Sequence, residues 1–375
     1  MLPGGIEAVK IASGLDGAKE AAAVIAGGGI AAFATETVYG LGADAFNPTA
    51  VAKVYAAKGR PGDNPLIMHI AAHEIFFELT ENPPSYAHAL IKAFWPGPLT
   101  LVAKKKPGLP AWVGGHPQGT ADTVGIRMPS HSLALAVIRE SGCVVAAPSA
   151  NLAGTPSPTL AEHVAVDFKH GDIDFILDGG AVTVGLESTV VDITGPKPVI
   201  LRPGVITAEM VAEVTGITAQ RPDLPVYVES EKLAQDQKSN ASPASTPRSP
   251  GMKYRHYAPK APMTLLIGSE SVIAAYVLEE CAKAQDHRVG VLVTEETEAI
   301  LRHTLCETST HPFKLIILGR KAAPVTIAKN LYASLRQFDA MDVDVIYAEG
   351  LAQDGLGIAI MDRMRKAAEG RVVHL

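Results

Sequence analysis

The stretch "DFILDGGAVTVGLESTVVDITGPKPVILRPG", Asp174–Gly204, decides how the first half of the chain folds. Three short apolar runs, "DFILDGG", "STVVDIT" and "PVILRPG", follow one another with no helical run between them. Runs of this length, rich in β-branched residues and closed by Gly or Pro, read as strands. Consecutive strands without a helix between them predict a mixed sheet. Upstream the pattern alternates. "GIAAFATET", "PLIMHI", "TLVAKK", "TVGIRMP" and "CVVAAPSAN" read as strands. "PTAVAKVYAAKG" reads as a helix capped by Gly59, and "SYAHALIKAFW", "SLALAVIRES" and "LAEHVAVDF" as further helices. Residues 1–220 are therefore expected to form one α/β domain with a mixed, twisted sheet.

Downstream the periodicity lapses. "KLAQDQKSNASPASTPR" is polar and rich in Ser, Ala and Pro, the composition of a flexible linker, placed at 221–262. From Met263 a strand and then a helix recur four times: "MTLLIG", "RVGVLVT", "KLIILGR" and "VDVIYAEG", each followed by a helical run. Residues 263–375 are expected to form a small Rossmann-like domain with a parallel sheet. Its first strand–helix turn lacks G-x-G-x-x-G, and "GLG" at 355–357 comes late and alone, a weak nucleotide signal.

Composition narrows the function classes. The 375 residues are 47% hydrophobic and 19% charged, with a net charge of -6. That supports ordinary buried cores and gives no global basic footprint for nucleic acid. Cys143, Cys281 and Cys306 lie far apart, which fits neither a disulfide framework nor a zinc site, and suits a reducing cytoplasm. No secretory signal is visible. "AAAVIAGGGIAAFA", Ala21–Ala34, is too short to span a bilayer and reads as a helix, a glycine turn and a buried strand. No membrane association is expected.

Several strand ends carry polar side chains. "KGRPGDNPLIMH" places Lys58 and Arg60 on a Gly/Pro loop, where fixed cations suit a phosphate chain or, equally, make a solvated basic turn. It is not a Walker A loop. Thr35, Glu36 and Thr37 end one strand before a Gly40/Gly42 turn, and "APSANLAGTPSPT" and "GLESTVVD" bring small hydroxyl residues to others. Strand ends are where open α/β sheets bind ligands. Arg127 and Arg202 close two more strands. His69, alone at a strand end, reads first as a packed core group. Neither H-E-x-x-H nor G-x-S-x-G occurs.

Together, "TETVYGLG", "KGRPGDNPLIMH", "FWPGPLTLV", "VGIRMPSH", "APSANLAGTPSPT", "ILDGGAVTVGLESTVVD", "LRPG" and "SPGMKYRHYAP" resemble the L-threonylcarbamoyladenylate synthases, with their YrdC-like N-terminal domain, in the long two-domain form. "GLGIAIMDRMRKAA" looks like that form too. Ala34 stands where a proline is usual, and Ala153 where serine is. The resemblance implies synthesis of threonylcarbamoyl-AMP and pyrophosphate from L-threonine, bicarbonate and ATP. The product then passes to a tRNA threonylcarbamoyl-transfer machinery, with no strong direct tRNA binding. It implies that Thr37, His69, Arg127, Ala147 and Ser188 hold threonine. Arg60, Asn64, Thr123, Ser149, Ser157, Arg202 and Tyr257 would hold ATP, with Lys58 and Arg60 acting at the phosphates. Mg²⁺ would be held mainly through the ATP phosphates, and no protein side chains are identified as its ligands. "SPGMKYRHYAP" would be a lid with Tyr257 on the nucleotide, or else a segment packed on the C-terminal domain. Two other readings stand beside this one: an RNA-binding or ribosome-assembly protein, and a carbamoyltransferase acting on another acceptor.

Overall fold

A computed structural model describes residues 9–115, 121–169, 171–220, 257–284, 287–305 and 313–375. Most of the expected linker and lid, 221–256, lies outside the described residues. In chain order the first half forms β1 Lys10–Ser13, α1 Gly14–Ala26, β2 Ala31–Phe33, β3 Gly40–Asp44, α2 Pro48–Lys58, β4 Ile67–His69, α3 Glu74–Leu79, α4 Tyr86–Phe94, β5 Leu99–Lys104 and β6 Thr123–Arg127. It continues with α5 Ser132–Ser141, β7 Val145–Ala147, α6 Ala161–Asp167, β8 Phe175–Asp178, β9 Thr189–Asp192, β10 Val199–Arg202 and α7 Ala208–Thr215.

These strands make one ten-stranded sheet, ordered β1-β8-β2-β3-β7-β4-β6-β5-β9-β10. The sheet is mixed. β4 runs parallel to β6 and β5 to β9, while β2 and β3, and β9 and β10, pair antiparallel. β8 and β9 are neighbours in sequence but lie far apart in this order. The chain between them, residues 179–188, therefore crosses the ends of the intervening strands. It is tied down as it goes: Val184 N donates to Glu36 O at 2.8 Å and Gly185 N to Thr37 O at 3.1 Å. This crossing delivers Glu187 and Ser188 to the strand ends carrying His69 and Arg127, which pair in register. Apolar side chains from both faces of the sheet form the core. Leu66, Phe76, Trp95 and Ile126 pack in one cluster, and Ile25, Phe33, Val137 and Leu177 in another.

The second half forms β11 Met263–Ile267, α8 Glu270–Lys283, β12 Val289–Val293, α9 Glu295–Thr304, β13 Lys314–Ile317, α10 Pro324–Met341, β14 Val345–Glu349, α11 Gly355–Ala367 and β15 Val372–His374. Its five strands are all parallel, in the order β13-β12-β14-β11-β15. β15 is a short fifth strand that the four strand–helix repeats do not announce.

The two halves share a core. Val38, Leu186 and Tyr257 pack into the cluster that holds Leu331, Tyr332, Leu335 and Met364 of the second half. At Gly185 the crossing segment meets α10 so closely that a Cβ would lie 2.4 Å from Lys329 Cα. Its φ of +82 also favours glycine. Among the described residues no helix is long and apolar enough to cross a membrane.

Candidate active site

The strand ends and the crossing segment enclose a cavity. Of the residues singled out in the sequence, Thr37, Arg60, His69, Arg127, Ala147, Ser149, Ser188, Arg202 and Tyr257 line it. Each arrives there for a local reason. α2 is capped at its start by Asn47, whose side chain accepts from Thr49 N and Ala50 N. It stops at Gly59, left-handed at φ 59, so that Arg60 leaves the helix axis toward the cavity. Arg60 is then fixed by its own loop, with Nε donating to Asn64 O at 3.1 Å and Nη2 to Pro65 O at 2.7 Å. Burial pushes its guanidinium down to about 10, still a cation at neutral pH.

Arg127 is held on three sides. Nε donates to Gly97 O at 3.2 Å, Nη1 to Thr37 Oγ1 at 2.9 Å, and Nη2 pairs with Glu36 Oε1 at 2.7 Å. The Thr35 hydroxyl donates to Val38 O at 2.6 Å, so Thr37 is the donor in their 2.9 Å contact. Burial pushes the Glu36 carboxyl up, and the Arg127 guanidinium more than reverses this, leaving it below its usual value. His69 is buried, with Nδ1 3.1 Å from Ile67 O. Burial, with Arg127 nearby, lowers it to about 3, so its imidazole is neutral over the physiological range.

On the far wall Arg202 reaches back over Ser188. Its Nε donates to Ser188 O at 3.1 Å and Nη2 to Ser188 Oγ at 3.2 Å, and the same hydroxyl lies 2.7 Å from Thr100 Oγ1. Glu187, beside it, also faces the cavity. It accepts from Ser157 Oγ at 2.6 Å and Tyr332 OH at 2.9 Å, and pairs with Arg363 at 3.1 Å. Burial alone pushes the Glu187 carboxyl up, but Arg363, Arg202 and the Ser157 hydroxyl bring it down to about 2. Tyr257 is buried, with its ring 5.2 Å from that of Tyr332 and 5.8 Å from the Arg363 guanidinium. The next residue ties the chain back to the first half, since Ala258 N donates to Gly154 O at 3.0 Å. Tyr257 thus touches both the cavity and the C-terminal core.

Four expected residues lie off this wall. Lys58 is buried and its Nζ donates to Ser149 O and Asn151 O, so it shapes the loop after β7. Asn64 contributes its carbonyl, which accepts from Arg60 and from Tyr55 OH. Ser157 acts on Glu187. Thr123 begins β6 and Arg127 ends it, about 13 Å away at strand spacing. Sequence reading passed over Glu187 and Arg363 altogether. The signal for Arg363 was present: it lies on the stripe Leu356, Ala359, Ile360, Arg363, Met364, Ala367, a charge at an apolar position of α11. Among the described residues no group of three or more His, Cys, Asp or Glu side chains is placed to hold a metal ion.

The cavity gathers three guanidiniums, of Arg60, Arg127 and Arg202, in a chain of net charge -6. Such a place suits anionic ligands, with hydroxyls and a neutral imidazole to orient them.

Comparison with known proteins agrees with that chemistry. A family profile described as "Telomere recombination" (Sua5, YciO and YrdC) matches residues 23–204, and one described as "Threonylcarbamoyl-AMP synthase, C-terminal domain" matches residues 206–369. The chain is 46% identical over 357 residues to the threonylcarbamoyl-AMP synthase of Bacillus subtilis (strain 168), covering 95% of this chain and 94% of that protein. It is 42% identical to the threonylcarbamoyl-AMP synthase of Pyrococcus abyssi, covering 95% of each. The crystal structure of P. abyssi Sua5 complexed with L-threonine superposes with a TM-score of 0.82 at 39% identity, covering 98% of this chain and 99% of that one. The chain belongs to the threonylcarbamoyl-AMP synthase family, in its two-domain form.

Proposed function

We propose that this chain makes threonylcarbamoyl-AMP and pyrophosphate from L-threonine, bicarbonate and ATP. The observation that carries the reading is the convergence of Arg60, Arg127 and Arg202 on one cavity, beside Thr37, Ser188 and neutral His69. The threonine amine forms an N–C bond to bicarbonate carbon with loss of water. A carbamate oxygen then attacks the α-phosphorus of ATP, and the bond to pyrophosphate breaks. An anion attacking a polyanion needs its repulsion screened, and buried guanidiniums do this with no reorganisation at the moment of reaction.

Arg127, Thr37, His69, Ser188 and the Ala147 backbone are assigned to threonine. Arg127 is a suitable fork for its carboxylate, and Thr37 holds that fork in place. Arg60, Arg202, Ser149 and Tyr257 are assigned to ATP, with the Tyr257 ring offering a face to base or ribose. Lys58, Asn64 and Ser157 act at one remove, by fixing Ser149, Arg60 and Glu187. Thr123 meets only a ligand that runs along β6. Mg²⁺ would enter on the ATP phosphates and add to the screening there. Glu187, the carboxylate on the wall, is already paired with Arg363. The product would pass to a tRNA-modifying transferase in the cytoplasm.

The test is incubation with ATP, labelled bicarbonate and single amino acids, with detection of pyrophosphate and of the adenylate by mass spectrometry. Threonine-dependent pyrophosphate with a labelled carbamoyl adenylate is expected. Label passed to some other acceptor and not to threonine would indicate a carbamoyltransferase, and RNA binding without pyrophosphate would indicate a binding protein.

A further inference from the structure

Glu187 is a carboxylate on the wall of a cavity assigned to anionic ligands, and the C-terminal domain supplies its counter-charge. Arg363 of α11 is fully buried, at 0% exposure. Its Nε meets Glu187 Oε2 at 3.1 Å, and its Nη1 donates to Pro203 O at 2.7 Å and to Asp362 Oδ2 at 2.9 Å. One side chain of the second half therefore touches the first half both before β9 and after β10, on either side of Ser188 and Arg202. Arg202 lies close enough to Glu187 to help hold its carboxyl down, and Glu187 in turn favours the Arg202 cation against burial. Even so, its Nε and Nη2 are directed to Ser188 and not to the carboxylate.

We propose that Arg363 is a positioning residue for the nucleotide side of the cavity: by satisfying Glu187 it keeps the Arg202 guanidinium on Ser188, on the cavity wall where the nucleotide would lie. This rests on the synthase reading above. A buried carboxylate deprived of its partner takes the nearest cation, because an unpaired charge in a low-dielectric interior is strongly unfavourable. With Arg363 gone, that cation is Arg202. The C-terminal domain thus contributes charge balance to catalysis without contributing a catalytic residue.

The test uses the full chain and four variants: Arg363→Ala, Arg363→Lys, Glu187→Gln, and Arg363→Ala with Glu187→Gln. Calorimetric titration with ATP and, separately, with L-threonine is read beside pyrophosphate release. Arg363→Ala is expected to weaken ATP about 10- to 100-fold and threonine less than about threefold, as loss of one partner of a buried charge pair does locally. Arg363→Lys keeps the charge and is expected to stay within about tenfold of wild type for ATP. The decisive result is the double variant. A Gln amide does not compete for Arg202, so ATP affinity should return to within about threefold of Glu187→Gln alone. A double variant as weak as Arg363→Ala would overturn the proposal and make Arg363 a domain-docking residue only. So would Arg363→Ala binding ATP like wild type, or Arg363→Lys falling as far as Ala. If Arg363→Ala does not fold, the lysine and double variants still decide, since both restore charge balance. Wild-type protein that binds no ATP would instead refute the synthase reading itself.

Discussion

Arg60→Ala separates the catalytic worth of the α2 loop from its structural worth. Arg60 makes two hydrogen bonds in its loop, to Asn64 O and Pro65 O. After truncation Asn64 O keeps the Tyr55 hydroxyl at 3.0 Å, so the structural losses are the donor to Pro65 O and the contact between Arg60 and Tyr55. One buried acceptor left without its donor costs about 1–3 kcal/mol. Against a stability of about 5–15 kcal/mol this leaves the protein folded. The catalytic loss is expected to be larger. A preorganised cation aimed at developing phosphate charge is worth about 2–4 kcal/mol, or about 30- to 1000-fold in rate. Arg60→Lys keeps the charge but cannot span both carbonyls, and should fall between wild type and alanine. Urea unfolding gives the first quantity, pyrophosphate release the second, and calorimetry with each ligand locates the defect. The reasoning is refuted if folded Arg60→Ala turns over within about threefold of wild type, or if it loses threonine affinity while keeping ATP affinity.

Thr37→Ala should weaken L-threonine more than ATP, because its hydroxyl accepts from Arg127 at 2.9 Å; equal losses in separate titrations would contradict the assignment. Ser188→Ala should weaken both, since Ser188 Oγ also accepts from Arg202; an effect on threonine alone would detach Arg202 from the nucleotide side. His69, lowered to about 3, stays neutral in the fold while the unfolded chain takes up a proton below about pH 6.5. The unfolded state then binds more protons, so stability falls as pH drops from 6.5 toward 3, by about 2 kcal/mol at pH 5 for this residue. Urea midpoints at pH 7 and pH 5 should converge in His69→Gln relative to wild type, and an unchanged gap would place the proton elsewhere. Gly185→Ala should force the crossing segment away from Lys329, lowering the melting temperature and turnover together; loss of neither would mean that the segment is free to shift.

The fold was legible wherever local pattern and pairing agree. "STVVDIT" and "PVILRPG" lie too close for a crossover helix, and β9 and β10 indeed pair antiparallel. The four strand–helix repeats after Met263 became neighbouring parallel strands by the same logic. What pattern does not carry is order across a sheet. β8 reads as the neighbour of β9, yet it sits between β1 and β2 at the other end. Only the folded chain shows that the link between β8 and β9 is the wall of the cavity.

The site divides along the same line. Thr37, Arg127, Ser188 and Arg202 lie at the ends of apolar runs, where open α/β sheets bind ligands, and all four line the cavity. Lys58, expected near phosphate from its charge beside a Gly/Pro loop, is the last residue of α2 and lies off the cavity wall. Burial pushes the Lys58 ammonium well down, and it is spent on two backbone carbonyls. Glu187 and Arg363 escaped for a different reason. A carboxylate beside a serine of the cavity wall looks unhelpful in a site for anions until its partner is known. That partner stands 176 positions away on another domain. Alone, Glu187 would oppose ATP; paired, it becomes a fixed point from which Ser157, Tyr332 and Arg363 brace the wall. The sign of a residue's contribution to a site is thus set by long-range pairing, which neither composition nor spacing records. Exchanging the two charges, as Glu187→Arg with Arg363→Glu, should therefore fail to restore ATP binding even if the pair re-forms, because it would place a cation against Arg202 and a carboxylate beside Asp362. Recovery of wild-type ATP affinity in that swap would show that only the pair matters, and not which side of it faces the cavity.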